Sequence, residues 1–243
     1  MNKFIPIIFL ILISPFLSAQ NNFSIYKAYA SSDMKKWKFS MDSLNSVKQK
    51  SYKDILDLIN YQYGYIAWCV SEESDEEAEL YLEKARKNIS FLEQKNYNLS
   101  TLFAYKAAFI GFEIGISPYK APFYGPKSIE YAKKSLEIDS LNHMTYIQMG
   151  NIAYYTPSIF GGSKMEAIKH YLKSLMIMEK NKDLKINNWN YLNLLTAIIN
   201  AYMGQNQYVD AKKYCEKTLK AEPEFVWVRN KLYPDVLKRI SNE

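Results

Sequence analysis

The side chains with the capacity for chemistry are few and scattered. His143 and His170 are the only histidines, and Cys69 and Cys215 the only cysteines. Neither histidine has a partner at the spacing of an HExxH helix, and the cysteines form no CxxC pair, so the spacing encodes no zinc site. No GxSxG turn presents a serine, and Cys69 has no histidine partner legible in the sequence. The acidic run from Glu72 to Glu79 lacks the glycine and alternating oxygen ligands of a calcium loop. It reads as a solvated turn entering a helix, whose N-terminal dipole favours negative charge. The stretch IFGGSK follows no strand and lacks the Gly-Lys-Ser/Thr ending of a phosphate loop. These patterns predict no catalytic residue, no metal and no cofactor, hence a chain that is not an enzyme.

What remains is architecture. Residues 150–175, GNIAYYTPSIFGGSKMEAIKHYLKSL, read as a helix, a glycine loop and a second helix; residues 111–136 repeat the grammar. Gly111 and Gly150 each stand seven residues before a proline, Pro118 and Pro157, which aligns the two loops. Helix pairs that cannot bury their apolar faces alone stack into a solenoid. Apolar spacings of three and four predict about ten helices and no hairpin. The first begins after a cap at Ser32 or Asp33, the third pair runs from Asn98 to Gly115 and from Pro126 to Ile138, and the last helix spans Glu224 to Ile240. The fold class is therefore all-α, a right-handed superhelical solenoid of antiparallel pairs. In the loops, Tyr124–Gly125 and Phe160–Gly161–Gly162 read most simply as glycines taking positive φ beside aromatics that plug the ends of the pairs. Their second reading is a rim where a ligand approaches.

The ends and the composition set the compartment and the partners. Lys3, the apolar run Phe4 to Ile13, and the small residues Ser18 and Ala19 predict a signal peptide over residues 1–19. A lead-in and capping helix then occupy 20–50, repeats 51–223 and a C-terminal cap 224–243. No later stretch reads as long and apolar enough to cross a membrane. The exported chain is expected in the periplasm or released, with no membrane insertion after cleavage. A formal charge of +6 is spread over single lysines and pairs such as Lys133 and Lys134, which disfavours nucleic acid. Stacking should keep Cys69 and Cys215 apart, each buried and without a disulfide.

The residues resemble a tetratricopeptide-repeat array. Its second-helix signature of a small residue, a bulky one and another small one is matched by Ala78, Leu82 and Ala85, by Ser128, Ala132 and Ser135, by Ala167, Tyr171 and Ser174, and by Ala211, Cys215 and Thr218. The anchors are more widely spaced than the regular repeat of about 34 residues. The resemblance implies a concave groove, lined by first helices, that binds a protein or peptide. Asn151 and Asn200 take the position that can hydrogen-bond a peptide backbone in that family, with Gln148, Tyr155 and Asn193 near the same surface. The proline and Phe-Gly-Gly loops are also similar to those of exported repeat proteins that include the T component of tripartite periplasmic transporters. That implies the alternative of a small-solute-binding accessory.

Overall fold

A computed structural model describes the backbone of residues 13–242 and side chains from residue 21. The expected signal peptide and its cleavage point lie outside the residues whose side chains are described. Among the described residues there are twelve α-helices and no strand: α1 (Ile13–Ala30), α2 (Met34–Ser46), α3 (Tyr52–Ser71), α4 (Asp75–Gln94), α5 (Leu99–Ile116), α6 (Ala121–Ile138), α7 (His143–Tyr155), α8 (Lys164–Glu179), α9 (Lys182–Lys185), α10 (Trp189–Met203), α11 (Tyr208–Ala221) and α12 (Tyr233–Ile240). The architecture is an all-α, solenoid-like array of antiparallel pairs: α3 with α4, α5 with α6, α7 with α8, and α10 with α11.

Local chemistry fixes many boundaries. Asp33 caps α2, Ser51 and Asp54 form a reciprocal capping box on α3, and Asn142, Ser163 and Asn188 cap α7, α8 and α10. Asp75, Glu76 and Glu77 fill the first turn of α4. The count exceeds ten because residues 21–30 are helical rather than a lead-in, and because α9 adds one turn. The C-terminal helix is a π segment, Val228–Leu232, followed by α12. Helix α6 starts at Ala121, not Pro126: Pro122 takes the first-turn position, and Pro126 lies inside the helix at the cost of one backbone bond.

Small residues set the seam between paired helices. All twelve signature residues are buried. Ser128 donates to the Ala107 carbonyl at 2.9 Å, Ser135 to that of Ser100 at 2.7 Å, and Ser174 to that of His143 at 2.9 Å. Each hydroxyl faces the backbone of the preceding helix, where a longer side chain would hold the pair apart. Gly150 is the counterpart on α7, for a Cβ there would lie 2.3 Å from the Tyr171 ring. The equivalence expected for Gly111 fails, since that residue is exposed and a Cβ on it would meet nothing within 4 Å.

The array also closes on itself, so its end units are not kept apart. Tyr29 of α1 lies 5.5 Å from Trp189 and 5.3 Å from Phe225, and Trp37 of α2 packs edge-on to Trp189 at 4.9 Å. Lys27 pairs with Glu222 at 3.0 Å, and Asn190 of α10 donates to Asn60 of α3 at 3.0 Å. Large apolar rings make this closure favourable, because an open array would leave them wet. Cys69 and Cys215 are nonetheless buried free thiols.

Helix α5 corrects the expectation about apolar stretches. Its 18 residues, with mean hydropathy 1.3, are long and apolar enough to cross a membrane. Here that apolarity is used in packing, because α5 touches α3, α4, α6 and α7. Its polar groups are matched as well: Ser100 to Ser135, and Lys106 to Glu93 at 2.5 Å.

The two glycines give opposite expectations. Gly150→Ala should lower stability by about 1–3 kcal/mol through overpacking against Tyr171, whereas Gly111→Ala should raise it by about 0.5–1 kcal/mol by removing chain entropy. Denaturant unfolding of the two variants beside the parent measures both.

Candidate functional site

Two of the concave-face candidates, Gln148 and Asn151, are drawn into a polar group between helices. Gln148 of α7 is buried. Asn151 donates to Gln148 Oε1 at 3.0 Å and accepts from the Tyr171 hydroxyl at 2.8 Å, with the Tyr63 hydroxyl 3.4 Å away. Asn193 of α10 accepts from the Tyr29 hydroxyl at 3.0 Å. Asn200 is half-buried on α10 and shares no hydrogen bond with that group, and Tyr155 stands exposed at the end of α7 with its ring edge-on to Tyr154. Three buried polar atoms of the interior, Gln148 Nε2, Trp189 Nε1 and Asn190 Oδ1, have no partner among the described residues.

The two glycine loops differ from the simple expectation and from each other. Both begin with a 3-10 turn, Pro118–Lys120 and Ser158–Phe160. Only Gly161 takes positive φ, at 89°. Gly162 is required for another reason, since a Cβ there would lie 1.7 Å from the Thr156 carbonyl oxygen. Tyr124 and Gly125 lie within α6, not in a loop. Phe160 does not plug the helix pair, because its ring is exposed.

A cleft lies on the other face, between the second helices α4 and α6 with α5 as its floor. It encloses about 640 Å³. Leu82 and Ile89 line the α4 side together with Glu79, Glu83 and Arg86, Phe109 and Ile110 form the floor, and Lys120, Tyr124, Lys127 and Tyr131 the opposite rim. Two of its cations are already neutralised: Arg86 pairs with Glu113, and Lys106 with Glu93. Among the described residues neither Lys120 nor Lys127 forms an ion pair within 4 Å, although the charge of Lys127 acts on Glu130 one turn on. Their ammonium groups lie 5.9 Å from the ring centres of Tyr124 and Tyr131 respectively. No histidine, cysteine or methionine lines the cleft. Among the described residues, no group of three or more His, Cys, Asp or Glu could hold a metal ion.

Of these rim residues the sequence reading singled out only Tyr124. Positions 120, 124, 127 and 131 share one helix face at spacings of four, three and four. That stripe was hidden by starting the helix at Pro126, which left Lys120 and Tyr124 in a loop.

No protein-family model matches the chain, and no curated protein matches it by sequence. Among solved structures it is similar to the HusA haemophore from Porphyromonas gingivalis, at 16% identity and a TM-score of 0.54. The superposition covers 79% of this chain and 94% of that one. The likeness is one of fold. It extends over nearly the whole neighbour, so the helical array as a unit is shared rather than one helix pair.

Both histidines belong to the framework. Burial pushes His143 down to about 4, partly opposed by the charge of Asp139, and burial also lowers His170. Each imidazole is thus kept neutral in the fold, while in the unfolded chain it titrates near 6.5. Below that value the unfolded state takes up protons first, so stability is full above pH 6.5 and falls as pH drops towards 4. The loss from His143 should be on the order of 1–2 kcal/mol, less than full burial would give because part of the ring stays wet. Thermal unfolding between pH 7 and pH 4.5 should show that loss in the parent and a flatter profile in His143→Gln.

Proposed function

We propose that this chain is an exported, non-enzymatic binding protein whose cargo is a flat, apolar-faced carboxylate held in the cleft between α4 and α6, the ligand class to which haem belongs. The observation that carries this reading is the pair of lysines outside any ion pair within 4 Å, each beside a tyrosine ring, on the rim of a cleft lined by both apolar and charged side chains. A flat ligand would stack on Tyr124 and Tyr131 while its carboxylates meet Lys120 and Lys127. The volume suits a ligand of that size. A structural neighbour described as a haemophore supports the choice of class, and the signal-like start of the chain supports export. The four registered small-residue anchors support a tetratricopeptide-like origin for the array. With no imidazole, thiol or thioether in the lining, the groove would hold haem by its plane and carboxylates.

A second reading, a peptide bound on the concave face at Asn151 and Asn200, is favoured by the two buried amide atoms without a partner, Gln148 Nε2 and Asn190 Oδ1. The two differ in which variants matter.

Absorbance titration with haemin, and with metal-free protoporphyrin, tests the first reading. Both should bind saturably with a Kd near or below about 1 μM. Replacing Lys120 and Lys127 together by Ala should weaken both about tenfold, as expected for two partly exposed charge contacts. The absence of saturable binding, or equal binding by the Lys120→Ala/Lys127→Ala variant, would overturn it. Sensitivity to Asn151→Ala and Asn200→Ala instead would favour the concave face.

A further inference from the structure

The cleft between α4 and α6 has walls of opposite charge. Arg86 paired with Glu113 and Lys106 paired with Glu93 set α4 antiparallel to α5, and the bonds from Ser128 and Ser135 to the Ala107 and Ser100 carbonyls set α6 antiparallel to α5 as well. Helices α4 and α6 therefore run in the same direction on either side of the floor. Their N-terminal ends share one end of the cleft.

On the α4 side that end carries Glu79 and Glu83, four residues apart and so on one helix face. Glu76, three residues before Glu79, continues the face into the acidic turn. Glu79 forms no ion pair within 4 Å among the described residues, and Glu83 shares its charge with Lys87 at 2.6 Å. The one cation that α4 contributes to the lining, Arg86, is already held by Glu113. The α6 side is the reverse. Lys120 and Lys127 line it, no carboxylate of α6 does, and the neighbouring Glu130 is held by Lys134 at 2.7 Å. Between the two walls lie Phe109 and Ile110.

We infer that Glu79 and Glu83 determine which flat carboxylates the cleft accepts: those with every carboxylate on one edge are taken, with that edge turned towards α6, and those with carboxylates all round the rim are rejected. This rests on the cargo reading above and gives it a selectivity. A flat ligand that fills the cleft presents its second edge to α4. A carboxylate on that edge meets like charge in a site partly shielded from water, where repulsion is stronger than in bulk. An uncharged edge meets no such opposition. Repulsive groups set specificity alongside attractive ones, and here the two kinds stand on facing helices. The acidic wall thus also fixes which way round the cargo lies.

Fluorescence titration with two metal-free porphyrins tests this: protoporphyrin, whose carboxylates share one edge, and coproporphyrin, which carries a carboxylate on every side. In Glu79→Gln/Glu83→Gln, coproporphyrin should bind about tenfold tighter while protoporphyrin changes by less than about twofold. The gain should shrink as salt is raised, because both carboxylates are exposed. Asp183→Asn/Asp210→Asn changes the net charge equally at exposed positions outside the cleft and should leave the ratio of the two affinities as it is in the parent. The change in that ratio decides the matter rather than the preference of the parent, since coproporphyrin is also the less apolar of the pair. An unchanged ratio in the glutamine variant, or an equal change in the asparagine variant, with protoporphyrin still bound, would overturn the inference and leave the cargo reading standing. Absence of saturable protoporphyrin binding by the parent would overturn both.

Discussion

The close approach of paired helices is the constraint on which the rest of this molecule depends. Where Ser128, Ser135 and Ser174 turn hydroxyls onto the neighbouring backbone, and where Gly150 gives way to the Tyr171 ring, two helix axes come near enough to exclude water. Protein interiors are close-packed, so a single methyl group at such a seam is felt. The seam lets one layer of small residues hold four pairs in register despite their uneven spacing. It also leaves the outward halves of the second helices uncovered, most of all the start of α6.

That uncovered start accounts for the rim of the cleft. The side chains of α6 that become buried are Ser128, Ala132 and Ser135, all in its middle and C-terminal parts. Before them the helix runs free of the array for nearly two turns, lifting Lys120, Tyr124 and Lys127 over the cleft on one face and Phe123 into solvent on another. Pro122 and Pro126 stiffen this segment, since each fixes φ. The apolar floor of the cleft comes from α5, whose composition would suit a membrane but whose neighbours make it the central helix of the array.

Closure by aromatic rings redirects the opposite face. In an open solenoid the first helices would line an accessible groove, yet here Tyr29, Trp37, Tyr63 and Trp189 meet across it, and Asn151 and Asn193 find tyrosine hydroxyls. Burying such rings releases more free energy than a wet groove would retain, because each carries a large apolar area. The abundance of tyrosine follows from the same geometry: a ring can pack in a thin helical layer while its hydroxyl reaches a polar partner.

Much of the fold was legible in the residues. The spacing of apolar positions marked the helices, the cap expected at Ser32 or Asp33 and the acidic turn marked two of their starts, and the small-bulky-small triads marked the seams that proved buried. These signals are local, carried by residues within one or two turns of each other, so a linear reading captures them. The helix over residues 21–30, the early start of α6, the inequality of Gly111 and Gly150 and the cleft between α4 and α6 were not legible. Each depends on which distant residue lies opposite: Trp189 against Tyr29, Tyr171 against Gly150, Leu82 across from Tyr131. The sequence by itself determined the all-helical repeat and the seams within each pair, because backbone periodicity and side-chain size act locally. Only the tertiary structure decided that the array closes and that its polar rim faces outward beside α6, because the curvature summed over all pairs determines which surfaces meet and which remain open.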